Sequence, residues 1–170
     1  MFTPNKTLEI MPNHLITVGL AWQFDQLFDL GIHPDIAQYH EYSMAVGLPV
    51  AGHPEVRNIA DGLRGVRRIV GDLRILIGEF GISTAGEANG GATEDRQREV
   101  YQGVLEGAED QRILGVANWC LFDFVPDWMG NKEQVYGIVR ADGSLKPAGA
   151  ILSQTYLRWQ KQYPAPWDGQ

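Results

Sequence analysis

The sequence is poor in cysteine, in positive charge and in long apolar runs. Cys120 is the only cysteine among the 170 residues, so neither an intrachain disulfide nor a cysteine-based metal site is available. The chain has 14 lysines and arginines against 21 aspartates and glutamates, and its net charge is −7. Because nucleic acids and anionic membranes attract concentrated positive charge, neither is an expected partner. No apolar run reaches the ~18 residues that a membrane-spanning helix needs.

The first residues also lack the marks of a secretory signal. They are polar, contain Pro4 and Pro12, and have no basic segment followed by an apolar one. The chain is therefore expected to be cytoplasmic. His14, His33 and His53 do not show the spacing of a zinc motif such as H-E-x-x-H, which argues against metal catalysis. No cofactor is implied.

Apolar runs and helical patterns alternate along the chain. Four runs rich in Ile, Val, Leu and aromatic residues are typical of buried strands: residues 15–20, 36–42, 73–80 and 115–122. Their nearly continuous apolar character favours strands that are covered on both faces. Helical patterns follow them: a short helix within 23–30, an amphipathic helix over 54–72, a helix capped by Thr93, and a helix that starts near Pro147. This order predicts an α/β fold with a parallel sheet.

Two architectures fit this order: an open doubly wound sheet and a piece of a (βα) barrel. Residues 86–91 are rich in glycine but lack the G-x-G-x-x-G spacing of a nucleotide-binding turn, so they are interpreted as a flexible loop. An open, flavodoxin-like domain that binds a phosphorylated small molecule is therefore the less favoured alternative. A complete eight-unit barrel normally needs ~250 residues, which is more than this chain has.

Polar and aromatic side chains collect where the predicted strands end. In parallel α/β folds the carboxyl ends of the strands meet at one edge, and functional residues lie there. Indole and phenol rings stack on pyranose rings, and carboxylates hydrogen-bond sugar hydroxyls. The set therefore predicts a carbohydrate-binding cleft formed by Trp22, His40, Tyr42, Glu79, Trp119 and Trp128.

The same segments resemble the C-terminal half of retaining glycoside hydrolases of the clan A (βα) barrels, particularly the cellulase-like family 5 proteins. Residues 75–81 (ILIGEFG) resemble the seventh strand, and residues 35–42 (DIAQYHEY) resemble the sixth. Residues 14–19 (HLITVG) are similar to the fifth strand, and residues 136–148 (YGIVRADGSLKPA) to the turn and helix that close these barrels. The resemblance extends from about residue 15 to residue 159.

This resemblance implies a fold, a reaction and residue roles. The fold would be the (βα)4 half of a TIM-type (βα)8 barrel in one domain, with an extension over 1–14, four βα units over 15–160 and a tail over 161–170. The chain would act in carbohydrate metabolism on β-linked oligo- or polysaccharides. Glu79 would be the nucleophile, Tyr42 its hydrogen-bond partner, His40 a substrate contact and Trp119 a platform for the sugar.

One part of the family's machinery is missing from the sequence. The clan's acid/base glutamate follows an asparagine at the end of the fourth strand, and no Asn-Glu pair occurs here. A retaining mechanism needs two carboxyl groups ~5–5.5 Å apart. Asp123 and Asp127 belong to the same predicted rim, but neither has a clear claim to the second role. We therefore expect weak or no activity from the chain alone.

Several residues also have plain structural interpretations. Glu79 could be a strand-end carboxylate held by a salt bridge, and Trp119 could be a core residue, because an indole in a buried strand usually is. Glu41 is expected to be solvent-exposed and Cys120 to be a buried small hydrophobic residue.

A half-barrel would expose two strand edges, which invite pairing with another chain. The expected partner is a second copy or a complementary half-barrel chain, the homodimer closing an eight-stranded barrel. The alternative function is a non-catalytic half-barrel that binds sugars or serves only as a subunit.

Overall fold

The computed structural model describes residues 15–20, 24–42, 58–86, 88, 91–124 and 135–163. Its elements follow the order β1 (Thr17–Leu20), α1 (Phe24–Asp29), β2 (Ile36–Glu41), α2 (Ile59–Val70), β3 (Arg74–Phe80), α3 (Glu94–Asp110) and α4 (Pro147–Gln162). The predicted α/β class with parallel strands is confirmed. The predicted extension over 1–14 and residues 54–57 of the predicted second helix lie outside the described residues.

Three parallel strands form one open sheet in the order β1-β2-β3. Thr17 of β1 pairs with Ile36 of β2, and Ile36 in turn pairs with Arg74 of β3. On its other side β3 meets a short segment through a single parallel bridge between Ile77 and Val116. All carboxyl ends of these strands therefore lie at the same edge of the sheet.

The prediction of a fourth strand over 115–122 is wrong for most of that range. The backbone follows β3 only as far as Ala117, whose N–H donates to the Ile77 carbonyl at 2.8 Å. Beyond it, the Cys120 and Leu121 carbonyls accept hydrogen bonds from the Ile138 N–H at 3.2 and 3.1 Å. The residues that follow thus use their backbone groups on a distant loop rather than on the sheet, and a regular strand cannot continue.

Contacts divide the chain into two units. The first comprises Met1–Phe80 and Gly107–Ala117 and contains the sheet. Asn58 caps α2 by accepting a hydrogen bond from the Asp61 N–H at 2.9 Å, and Leu63 and Val66 on one face of this helix are fully buried. Each such side chain stabilises the fold by about 1.5–3 kcal/mol. The sheet contributes the buried residues Ala37, Tyr39, Ile75 and Ile77.

The second unit comprises Gly81–Glu106 and Asn118–Gln170. The predicted cap of α3 is confirmed, since Thr93 Oγ1 accepts a hydrogen bond from the Arg96 N–H at 3.1 Å. Val100 and Val104 of this helix are buried. The start of α4 at Pro147 also agrees with the prediction. Among the residues that the structure describes, no helix combines the length and the apolar character needed to cross a membrane.

Candidate active site

Strand β2 and the residue directly after it present three polar side chains on one face at the carboxyl edge of the sheet. Successive side chains of a strand point to opposite faces. Ala37, Tyr39 and Glu41 are buried, and the alternate residues Gln38, His40 and Tyr42 are only partly buried. The three polar residues therefore share a face that stays open to solvent.

A bulge in β3 brings Glu79 to the same face. Tyr39 pairs with Ile77, but the next residue of β2, His40, pairs with Glu79, so Gly78 is an extra residue without a partner. Such a bulge shifts the alternation of every later side chain by one. Ile77 and Phe80 are buried, and Glu79 between them is half-buried rather than turned into the core. The bulge thus directs the carboxylate towards the polar face of β2.

Glu79 is contacted by two of the predicted site residues. The Tyr42 hydroxyl donates a hydrogen bond of 3.0 Å to Glu79 Oε2. His40 Nδ1 lies 3.7 Å from the same oxygen. The Glu79 side chain keeps 38% of its surface exposed, so a ligand can reach it. Both contacts fall on Oε2, and among the described residues Oε1 remains available to a ligand.

Two glycines, Gly19 of β1 and Gly78 of β3, lie beside the side chains of Gln38 and His40. A Cβ at Gly78 would lie 2.5 Å from Gln38 Cγ and 2.6 Å from Gln38 Cδ. A Cβ at Gly19 would lie 2.8 Å from His40 Nε2 and 3.1 Å from Gln38 Nε2. At these distances the Gln38 and His40 side chains would have to shift, so glycine on both neighbouring strands lets them lie flat on the sheet. Sequence reasoning missed Gln38, although its spacing of two and four residues from His40 and Tyr42 places it on the same face of the strand.

The remaining aromatic candidates do not all fall within the described residues. Trp119 lies in the second unit, and 37% of its surface is exposed, so it is not a core residue. Its ring lies near that of Phe124, with 6.3 Å between ring centroids and 55° between ring planes. Trp22 and Trp128 lie outside the described residues, as does Asp127.

The expectation that Glu41 is solvent-exposed is wrong. Its side chain is fully buried and accepts a hydrogen bond from the Tyr39 hydroxyl. Burial, together with the adjacent carboxylate, raises the pKa of Tyr39, because both disfavour a second negative charge. The alternation of β2 places Glu41 on the same face as Ala37 and Tyr39. This buried carboxylate is therefore on the opposite face of the strand from His40 and Tyr42.

Asp123 has a structural partner. Lys146 Nζ donates to Asp123 Oδ1 at 2.8 Å and to Thr84 Oγ1 at 2.9 Å, and the Lys146 side chain is 1% exposed. A buried ammonium that is held this way neutralises the aspartate. Asp123 is therefore the partner of a buried lysine within the second unit.

Cys120 differs from the expectation of full burial. It is half-buried, and its thiol donates to the Phe122 carbonyl at 3.1 Å. Desolvation, and to a smaller extent the negative charge of Asp123, raise the pKa of the Cys120 thiol. In the part of the chain that the structure describes, no cluster of three His, Cys, Asp or Glu residues could hold a metal ion.

Comparison with known proteins gives a likeness in structure. No protein-family model matches the chain, and no curated protein matches it in sequence. Among solved structures, a glycoside hydrolase family 17 β-1,3-glucanosyltransferase from Rhizomucor miehei is similar over 84% of this chain, with a TM-score of 0.61 and 16% identity. A β-D-glucuronidase from Dictyoglomus thermophilum is similar over 91%, with a TM-score of 0.62 and 18% identity. GH5_18 from Bifidobacterium longum is similar over 78%, with a TM-score of 0.54 and 20% identity.

The chain covers only part of each of these proteins. It spans 53% of the glucanosyltransferase, 27% of the glucuronidase and 31% of GH5_18. At these identities the likeness concerns the fold. The three open parallel strands and their helices agree with a fragment of a TIM-barrel-like structure. The chain therefore has the fold of part of a glycoside hydrolase.

Proposed function

We propose that this chain carries the nucleophile half of a retaining β-glycosidase, with Glu79 as the nucleophile. The observation that supports the proposal most strongly is the hydrogen bond from Tyr42 to Glu79, at the carboxyl edge of a parallel sheet whose fold occurs in glycoside hydrolases. A half-exposed carboxylate with one oxygen held and the other available suits attack on an anomeric carbon. His40 is the proposed substrate contact at this carboxylate.

The proposed reaction has two steps. In the first, Glu79 Oε1 attacks the anomeric carbon, the bond from that carbon to the leaving oxygen breaks, and the leaving group takes the electron pair. In the second, water attacks the same carbon, the ester to Glu79 breaks, and the proton of the water passes to solvent or to a base. Two displacements at one carbon retain its configuration. The Tyr42 hydroxyl holds the carboxylate in position throughout.

The second carboxyl group is the gap in this mechanism. A retaining enzyme needs an acid/base residue ~5–5.5 Å from the nucleophile. Glu41 faces away from Glu79 on β2, and Asp123 is paired with Lys146. We propose that the acid/base group comes from outside the described residues. The proposed occupant of the open sheet edge is another half-barrel. A second copy of this chain would close the barrel, whereas a complementary half-barrel chain would also bring the acid/base glutamate that this sequence lacks.

The edge at β1 supports that assembly. In the described residues β1 pairs only with β2, and Leu15 next to it is 63% exposed. A free edge with apolar neighbours is a template for another strand. Light scattering at micromolar protein is expected to give the mass of a dimer. A clean monomer would contradict the second copy as partner, and it would leave the role of Glu79 to be tested separately.

Trp119 supports a narrower proposal, a sugar platform together with Trp22 and Trp128. An exposed indole beside Phe124 is suited to stacking on a pyranose ring. The same feature favours the second candidate function, a sugar-binding module without catalysis. Sugar binding that survives Glu79→Ala, without turnover of any activated glycoside, would favour this second function.

Activated aryl glycosides test the proposed function. Dinitrophenyl β-glycosides need little protonation of the leaving group, so they react without an acid/base residue. We expect a burst of dinitrophenolate, one equivalent per chain, followed by slow turnover. Added azide attacks the intermediate without needing a base, so it should speed the slow phase and give the β-glycosyl azide. Absence of a burst with gluco-, galacto-, manno- and glucuronosides would contradict the proposal. Asp142→Asn, an exposed carboxylate in a turn of the second unit, is the control and should keep the burst.

A further inference from the structure

The side chain of Gln38 contacts the imidazole of His40 on the open face of β2. Gln38 Nε2 lies 2.9 Å from His40 Nε2. An amide nitrogen can only donate, so the imidazole nitrogen that faces it must accept. A neutral imidazole with Nε2 as acceptor carries its proton on Nδ1. Nδ1 is the nitrogen that faces Glu79, at 3.7 Å from Oε2.

From this geometry we infer that Gln38 is a positioning residue that fixes His40 as the Nδ1–H tautomer, with the proton turned towards the carboxylate of Glu79. A separation of 3.7 Å is longer than a hydrogen bond. The Nδ1–H group is therefore a donor beside the nucleophile, and a hydroxyl of the sugar bound at Glu79 is the acceptor that fits it. The catalytic consequence rests on the proposed function, whereas the tautomer itself does not.

The surroundings of the pair are shaped for this contact. The atoms nearest to a Cβ at Gly19 would be His40 Nε2, His40 Cε1 and Gln38 Nε2, at 2.8, 3.0 and 3.1 Å. A methyl group at position 19 would thus press on the two atoms that form the hydrogen bond. Gly78 leaves the corresponding space on β3 for the stem of Gln38. The two neighbouring strands therefore lack side chains where Gln38 and His40 meet.

The tautomer of His40 can be measured directly. Imidazole ring nitrogens that carry a proton and those that do not have well-separated ¹⁵N shifts, and a His40→Gln variant assigns the signals among the four histidines. In the full wild-type chain, we expect the uncharged ring of His40 to carry its proton on Nδ1. In Gln38→Met, which has a side chain of similar length that cannot donate, the ring should revert to the Nε2–H form that a histidine side chain prefers in water. In Gln38→Glu, whose carboxylate accepts, Nε2 should carry a proton.

Gly19→Ala provides a variant in which both partners are retained. It should displace the hydrogen bond and give the same change of tautomer as Gln38→Met. Dispersed amide spectra verify that each variant is folded, and if one variant fails to fold the others still decide. A wild-type His40 with its proton on Nε2, or a tautomer that is unchanged in all folded variants, would overturn the inference.

Kinetics separate this inference from the proposed function. With an activated glycoside, Gln38→Met should raise KM about tenfold with little change in kcat, because a substrate hydrogen bond is weakened in ground state and transition state alike. A purely structural loss would instead lower the fraction of active protein and leave KM unchanged. If no glycoside reacts with the wild-type chain, the proposed function fails while the tautomer result stands by itself.

Discussion

Tyr42 and Glu79 are 37 residues apart in sequence, and the Tyr42 hydroxyl donates a 3.0 Å hydrogen bond to Glu79 Oε2. Parallel pairing of β2 with β3 brings them together, and the bulge at Gly78 turns the carboxylate to the correct face. Within the part of the chain that the structure describes, this contact leaves Glu79 Oε1 available to a ligand. The proposed nucleophile is thus positioned by the strand that precedes it in the sheet.

Removal of the Tyr42 hydroxyl should slow the first step of the proposed reaction. The hydroxyl holds the carboxylate in the orientation for attack. Since misplacement of a reacting group can cost about 100-fold in rate, Tyr42→Phe is expected to reduce the burst rate with an aryl glycoside by roughly 10- to 100-fold. Tyr163→Phe, an exposed tyrosine at the end of α4, is the matched control and should react like the wild type. Equal burst rates for Tyr42→Phe and the wild type would remove Tyr42 from the mechanism.

A methyl group at position 78 should destabilise the chain. A Cβ there would lie 2.5 Å from Gln38 Cγ, and relief of such overpacking typically costs about 1–3 kcal/mol. Urea denaturation of Gly78→Ala measures the loss. Gly115→Ala is the control, because a Cβ at that position meets only Leu76 Cδ1, at an ordinary 3.7 Å. The prediction is wrong if the two variants unfold at the same urea concentration.

Loss of the Lys146 side chain should lower the free energy of unfolding more than Gly78→Ala does. Its ammonium is buried against Asp123 and Thr84, and removal of one partner from a buried ion pair costs about 3–5 kcal/mol, because the other charge remains unpaired. Lys146→Met is therefore expected to unfold at much lower urea, while the exposed Lys161→Met should match the wild type.

The double variant Lys146→Met/Asp123→Asn provides the check on that explanation. Removal of both charges should cost less than the sum of the two single variants, since neither charge is then left alone. Additive losses would show that the two side chains contribute independently.

The Cys120 thiol should react slowly with alkylating reagents. The thiolate is the nucleophile, and a raised pKa leaves less of it near neutral pH. The rate with iodoacetamide should therefore rise at a higher pH than the ordinary thiol pKa of about 8.5. The same chain in denaturing urea should react like a free thiol. Because the pKa is raised in the folded chain, the contribution of the neutral thiol to stability is fully present below the pKa of the unfolded thiol and is lost as the pH rises through the pKa of the folded thiol. A rate profile that is identical in native and unfolded protein would contradict the shift.

The sequence predicted three of the four strands and their parallel direction correctly. The apolar runs at β1, β2 and β3 were sufficient for the parallel α/β class, and the residues at strand ends indicated Glu79, His40 and Tyr42. The fourth strand was wrong because its end depends on hydrogen bonds to Ile138, which no local pattern reveals. An apolar run forms a strand only where its backbone groups hydrogen-bond to a neighbouring strand, and beyond Ala117 they do not.

The sequence was also a poor guide to the face of the sheet on which each charged side chain lies. The expectation that Glu41 is solvent-exposed disregards the alternation of β2, in which Glu41 lies on the same buried face as Tyr39. The bulge at Gly78 was not predictable, since an extra residue in β3 is defined only by its pairing with β2. Without it, simple alternation would have turned Glu79 towards the core.

Covalent labelling of Glu79 tests the central claim most directly. A fluoro-sugar with a good leaving group slows the second step of a retaining reaction, so the glycosyl ester accumulates and its mass can be measured on the intact chain. The account predicts one adduct per chain, located by peptide mapping on Glu79, present in Asp142→Asn and absent in Glu79→Gln. Labelling of Glu79→Gln at the wild-type rate, or an adduct on another residue, would contradict the assignment of Glu79 as the nucleophile.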